Sequence, residues 1–142
     1  MINPTVHSAH SVVIGWKEVV DLPDWGIRSL VEKSDTGARS SEIDVKNIEE
    51  KENGWVEFDI ILNRKDRMRA PRIAARIIKK TRIRSSNGKV QERFKVKTEV
   101  KMGNIRKEVE LSLVNRKGMI CRILLGRLAL SPEFLVDPQR KY

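Results

Sequence analysis

Asp35-Thr36-Gly37 is the tripeptide of this chain whose residue types are best suited to chemistry. Glycine has no Cβ, so backbone can pack closely around the neighbouring carboxylate. Thr36 supplies a hydroxyl that can brace the loop from below. A carboxylate held this way can take a proton from a water or return one, the work of a general base or acid. An Asp-Ser/Thr-Gly triad arises by chance in about one chain of this length in fifteen at ordinary composition. Its plainer reading is a strand-ending turn, with Asp and Gly in their usual turn roles. The second signal is Ile123-Leu124-Leu125-Gly126-Arg127, which by itself reads as a core strand ended by glycine. The two signals in this order are more telling than either alone. Asp21, Asp24, Asp44 and Asp137 lack the Thr-Gly context and read as turn or surface residues.

Other chemistries find little footing. A catalytic zinc needs about three His, Cys or acidic ligands at defined spacing. The two histidines, His7 and His10, both fall in the polar N-terminal stretch, and there is no His-Glu-x-x-His. Cys121 is the lone cysteine and lies in an apolar run, where packing is its usual role. No Walker-type glycine loop is present, so the residues call for no metal, no nucleotide and no cofactor.

The elements that must position Asp35 read as strands. Ser11 to Val20, rich in β-branched residues around Gly15, reads as a strand or pair of strands, Leu22 to Gly26 is a turn, and Ile27 to Lys33 is a short strand running into Asp35. Asn53-Gly54 is a hairpin signal, followed by alternating Val56, Phe58, Ile60 and Leu62. Residues 63–72 form a charged connection, and 73–84 fit either a helical period or a strand, with the β-branched content of 78–83 favouring strand. After the turn Ser85-Ser86-Asn87-Gly88, Phe94, Val96, Thr98, Val100 and Met102 share one face, with lysines and a glutamate on the other. Gly103-Asn104 turns the chain into Ile105, Lys107, Val109, Leu111 and Leu113, again with period two. Asn115 to Gly118 turns once more, Met119 to Leu125 reads as a strand buried on both faces, Gly126 to Leu130 as a turn into a short helix ended by Pro132, and Phe134 to Val136 as a last short strand. The sum is one all-β domain over residues 12–142, preceded by a loose polar segment at 1–11.

Composition narrows the setting. The 142 residues suit one domain with its own core, and 39% hydrophobic content argues against disorder. No apolar run approaches the roughly 18 residues needed to span a membrane. No basic start followed by an apolar stretch marks a secretory leader, and one cysteine excludes a disulfide framework, so a cytoplasmic setting is expected. The formal charge of +10 favours acidic polypeptides or polyanions. Its basic residues are spread along the chain and mixed with acids, which is a solvated sheet face rather than the focused stripe of a nucleic-acid binder.

With these residues in place, the chain resembles the retropepsins, single-domain aspartic proteases in which an Asp-Thr-Gly loop sits against a later apolar-apolar-Gly strand followed by a short helix. Leu124, Leu125, Gly126 and Arg127 match that strand, and Leu128 to Leu130 the helix. More specifically, residues 33–41, 83–88, 92–94, 114–116, 124–129 and 134–138 are similar to a bacterial and archaeal family that carries the name ATP-dependent zinc protease, related to retropepsin-like proteins associated with RimK-type ATP-grasp ligases. The likeness runs from about Val13 to Pro138. The family pattern has histidines where this chain has Asp44 and Lys89, which removes candidate ligands for a shared metal site. Retropepsins often carry an acid at the position of Arg39 that pairs with the arginine after the later glycine. Arg127 therefore needs another partner, for which Glu42 and Asp44 are candidates.

The resemblance implies a retropepsin-like acid-protease β-barrel with one short C-terminal helix. It implies a homodimer, because an aspartic dyad needs two carboxylates and the chain holds one Asp-Thr-Gly. Asp35, Thr36 and Gly37 would be catalytic. Ala38 and Arg39, with Ser85, Ser86, Asn87 and Gly88 at the tip of a flap-like hairpin, would contact a peptide or protein substrate. The basic surface favours an acidic one, such as the glutamate-rich tails a RimK-type ligase makes. A peptide-binding module of the same fold without chemistry, and a basic nucleic-acid-binding β domain, are the competing readings.

Overall fold

In the computed structural model, residues 11–63, 71–115 and 120–141 are described. The expectations for residues 1–10, the charged connection at 64–70 and the turn at 116–118 lie outside them.

The clearest alternation produces the longest hairpin. Strand β7 (Val90–Met102) buries Phe94, Val96, Thr98, Val100 and Met102, and turns its intervening residues outward. It pairs antiparallel with β8 (Ile105–Val114) from Lys95↔Ser112 to Met102↔Ile105. Gly103, at φ +60°, supplies the left-handed residue that this tight connection needs.

Around this hairpin the chain lays β1 (Val12–Leu22), β2 (Ile27–Ser34), β3 (Ser41–Glu50), β4 (Trp55–Ile60), β5 (Arg72–Arg76), β6 (Lys79–Arg84), β9 (Ile123–Leu125), the one-turn helix α1 (Arg127–Leu130) and β10 (Phe134–Lys141). The strands run in the order β10-β1-β2-β9-β3-β8-β7-β6, with β4 and β5 continuing from β3. One bridge, Asp21↔Lys101, joins β7 back to β1. The chain is thus all-β with one short helix, and no described helix is long and apolar enough to cross a membrane.

The shared core gathers Leu22, Leu30, Ile43, Val45, Phe58, Val96, Leu111, Ile123 and Leu125 from seven of these strands. Trp25, in the 3-10 turn Pro23–Trp25, meets Phe58 edge-on at 5.5 Å. Removing one such side chain costs about 2–5 kcal/mol.

Several readings change. The strand expected over Met119 to Leu125 is only three residues long, and Ile120 is 61% exposed. The last strand extends to Lys141, with Pro138 tolerated because β10 is the edge of the sheet. Leu62 lies beyond β4 and is exposed. The ambiguous stretch at 73–84 resolves into two strands, β5 and β6. β3 was not legible in the sequence at all, although it is the strand that the site is built on.

Candidate active site

Asp35 follows the last residue of β2, and the loop is fixed there by a strand from the far end of the chain. β2 pairs parallel with β9 in the register Glu32↔Ile123, Lys33↔Leu124, Ser34↔Leu125. The ladder continues one step, since the Asp35 N–H donates to the Leu125 carbonyl at 2.9 Å. The carboxylate then organises its own turn. Its Oδ1 accepts the Gly37 N–H at 2.9 Å, and the Ala38 N–H closes on the Asp35 carbonyl at 3.2 Å. Asp35 keeps its side chain 30% exposed, with the Lys33 ammonium 4.0 Å from Oδ2. The carboxylate is therefore held on one oxygen and open to the solvent side.

Gly126 explains why the second signal accompanies the first. A Cβ there would lie 2.5 Å from the Ser40 carbonyl oxygen and 2.8 Å from that of Ala38, so the two segments approach this closely only with glycine. Its N–H donates to the Ser41 Oγ at 3.0 Å. The next two amides donate to the loop as well, Arg127 to the Ala38 carbonyl at 2.8 Å and Leu128 to the Arg39 carbonyl at 3.1 Å. Residues 35–41 are thus stitched along their length to residues 125–128.

Arg127 does not pair with Glu42 or Asp44. Its guanidinium donates to the Thr36 carbonyl at 3.1 Å. The Thr36 hydroxyl brace is also not seen: Thr36 is exposed, and its backbone carbonyl, not its hydroxyl, ties the loop down. Asp44, read as a surface acid, is completely buried. Its carboxylate accepts from the Arg122 guanidinium, while its amide donates to the Arg122 carbonyl at 2.9 Å. Arg122 N–H in turn reaches the Val31 carbonyl at 2.9 Å, so this pair ties β2, β3 and the approach to β9 together.

A second acid lies beneath. Glu32 is fully buried and accepts the Ser34 hydroxyl on both oxygens, at 2.7 and 3.0 Å. Burial pushes its carboxyl up to about 8; the Ser34 bond works against that, and the charge of Glu18, its cross-strand neighbour, adds to it. Cys121 is buried, and burial likewise raises its thiol, so it is not a ready nucleophile.

The β6–β7 hairpin is paired from Lys79↔Lys95 to Arg84↔Val90. Its tip is held by Ser85 N–H to the Lys89 carbonyl at 2.9 Å, Gly88 N–H to the Ser85 carbonyl at 3.0 Å, and the Asn87 side chain accepting from the Ser85 hydroxyl and the Lys89 amide. Ser85, Ser86, Asn87 and Gly88 are all exposed, and among the described residues no hydrogen bond ties them to Asp35, Ala38 or Arg39. Between the hairpin and the start of β3 runs a trough lined by Ser40, Glu42, Lys79, Arg93, Lys95 and Ser112. Sequence reasoning named Glu42 only as a partner for Arg127 and did not bring these residues together, because only the β6–β7 register sets Lys79 opposite Lys95. Among the described residues, no group of three or more His, Cys, Asp or Glu side chains could hold a metal ion.

An all-β chain with an Asp-Thr-Gly loop sewn to a glycine-ended strand and short helix has the frame of a retropepsin-like aspartic endopeptidase. The chain belongs to that class through the RimB-like family: the model described as retropepsin-like aspartic endopeptidase RimB matches residues 13–142. Among curated proteins it is 35% identical over 138 residues to a probable alpha-L-glutamate ligase of Shewanella halifaxensis, covering 95% of this chain and 30% of that protein. A protein of the same name from Parasynechococcus marenigrum is 28% identical over 131 residues, 90% of this chain and 28% of the relative. The chain thus spans less than a third of the length of these curated relatives. A crystal structure of a Legionella pneumophila protein of unknown function superposes with a TM-score of 0.76 at 25% identity, covering 92% of this chain and 96% of that one.

Proposed function

We propose that the chain is an aspartic endopeptidase with a retropepsin-like barrel, working as a homodimer in which Asp35 of each protomer meets its counterpart on a two-fold axis. The observation that carries this reading is the Asp35 carboxylate, anchored on one oxygen by Gly37 and open on its other side, in a loop secured by Leu125 and the close approach of Gly126. Exposed apolar residues supply the kind of surface a dimer would cover: Leu128, 65% exposed beside the loop, and Val12, Val13 and Leu135 along β1 and β10.

Two carboxyls a few ångströms apart cannot both ionise readily, so the pair would share one proton. The charged member would take a proton from a water that attacks the scissile carbonyl carbon, while the protonated member gives its proton to the carbonyl oxygen. Collapse of the resulting gem-diol breaks the C–N bond: the proton taken from the water goes to the leaving amine, and one gem-diol hydroxyl returns its proton to the other carboxylate, leaving a carboxylic acid and the dyad with its single proton. Thr36 and Gly37 would hold the carboxyl, Ala38 and Arg39 would line the cleft, and residues 85–88 would close over the substrate and exclude water.

The relatives' name points to the substrate: polypeptides rich in α-linked glutamate, such as the product of a RimK-type ligase acting alongside. The charge of +10 suits such an anion. That same name favours a second reading, a module that holds glutamate-rich peptide for a ligase without cutting it. Asp35→Asn separates the two. The endopeptidase reading expects cleavage of a glutamate-rich peptide to fall by at least about 10²-fold with binding intact. Binding by both forms with no cleavage by either would establish the module instead.

A further inference from the structure

The two faces of the β6–β7 hairpin treat their cations differently. On the face turned towards Phe94, Lys80 is paired twice, with Glu50 at 2.9 Å and Glu92 at 3.0 Å. On the trough face, Lys79 and Lys95 stand directly opposite each other in the register, and neither makes an ion pair among the described residues. Arg93, two cross-strand pairs further on, has one ion-pair partner among the described residues, Glu42 at 4.0 Å. Like charges placed opposite on adjacent strands repel. This end of the trough therefore carries three cations against one carboxylate, in a recess of about 240 Å³ where Ser40 and Ser112 add hydroxyl donors.

Resting on the reading of this cleft as the peptide site, we propose that Lys79 and Lys95, supported by Arg93, form the pocket that binds a side-chain carboxylate of the substrate and so set selectivity for glutamate at one position. A carboxylate placed between the two ammonium groups removes their repulsion and gains two charge-assisted hydrogen bonds. Elsewhere on the chain the positive charge attracts without selecting, because it is spread over solvated surfaces. Lys95 also borders the neighbouring recess where Lys97 stands with Glu108 and Glu110, whereas Lys79 and Arg93 line the trough and not that recess, so the selective point is the Lys79–Lys95 end.

The test uses the full chain carrying Asp35→Asn, so that cleavage does not disturb equilibrium, with fluorescent hexaglutamate and hexaglutamine peptides at fixed ionic strength. The expected result is that Lys79→Gln with Lys95→Gln weakens hexaglutamate binding by about tenfold to a hundredfold and leaves hexaglutamine unchanged. A control of equal charge loss, Arg28→Gln with Lys101→Gln near the Pro23–Gly26 turn, should change hexaglutamate binding by less than about threefold, as expected of rim charges. Equal weakening by both double variants would show diffuse attraction and overturn the proposal, as would unchanged binding in the trough variant. Thermal melting of both variants verifies folding. Selective binding by a wild-type chain that cleaves nothing would sink the peptidase reading while leaving the carboxylate pocket standing.

Discussion

The β4–β5 and β6–β7 hairpins use their cations in opposite ways. In the first, Arg72 is saturated: Glu49 at 2.6 Å, Asp59 at 3.1 Å, Glu57 at 3.4 Å and the Asn47 carbonyl at 2.7 Å all converge on one guanidinium. Those bonds, with that of Asp59 foremost, hold Arg72 firmly in its charged form. Burial pushes the Asp59 carboxyl up, but the Asn47 side-chain amide and then Arg72 hold it below the usual carboxylate range. In the second hairpin, the cations facing the trough are left largely uncompensated. A saturated cation fastens strands, whereas an unsaturated one has capacity left for a ligand. The acids divide the same way. Asp44 is buried against Arg122, while Asp35 is partly exposed and tied on one oxygen.

Breaking the buried ion pair should cost most. Asp44→Ala leaves Arg122 buried without its counter-ion, and a stability loss of about 3–5 kcal/mol in denaturant unfolding is expected. A smaller loss than that of Asp35→Asn would contradict the division.

Glu32 gives the next largest effect, and its sign follows from the raised pKa. The folded state favours the protonated acid up to about 8, whereas the unfolded chain releases that proton near 4.5. Stability should therefore fall as pH rises across that window, by about 1.4 kcal/mol per unit, and level off above it. Glu32→Gln should remove this slope, which melting curves between pH 4.5 and 9 would measure.

Gly126→Ala sets a methyl against the Ser40 and Ala38 carbonyls, with an expected loss of about 1–3 kcal/mol and a displaced Asp35 loop. Turnover should fall further than stability alone explains. Smallest is Arg72→Gln, which should shift the melting midpoint least and leave peptide binding unaltered, since its network is exposed at the surface.

What the sequence revealed follows the same division. β7 was legible because buried and outward residues alternate from Phe94 to Met102, and β8 because its sequence keeps period two from Ile105 to Leu111 before residues 111–114 all turn buried. The Asp-Thr-Gly loop and Gly126 were legible because each depends on a residue type few others can replace. β3 was not, for two physical reasons. Its pairing with β4 shifts register between Lys46 and Glu49, where Asn47 takes φ +53°, so period two breaks in mid-strand. Its central acid, Asp44, is buried only because Arg122 arrives from 78 positions later. Arg122 itself looked like an interruption of an apolar run. The trough escaped notice because alternation assigns a lysine to a face but does not say which lysine stands opposite.

The central claim, one active site built from two Asp35 residues, is tested most directly by mixing. Wild-type chain held at constant concentration is allowed to exchange with an equal amount of Asp35→Asn chain, and cleavage of a glutamate-rich peptide is followed. A shared dyad predicts that about half of the wild-type chains enter inactive mixed dimers, so turnover drops to about half. Turnover unchanged by the added variant, with exchange verified by differently labelled chains, would mean that each Asp35 works alone and would contradict the account.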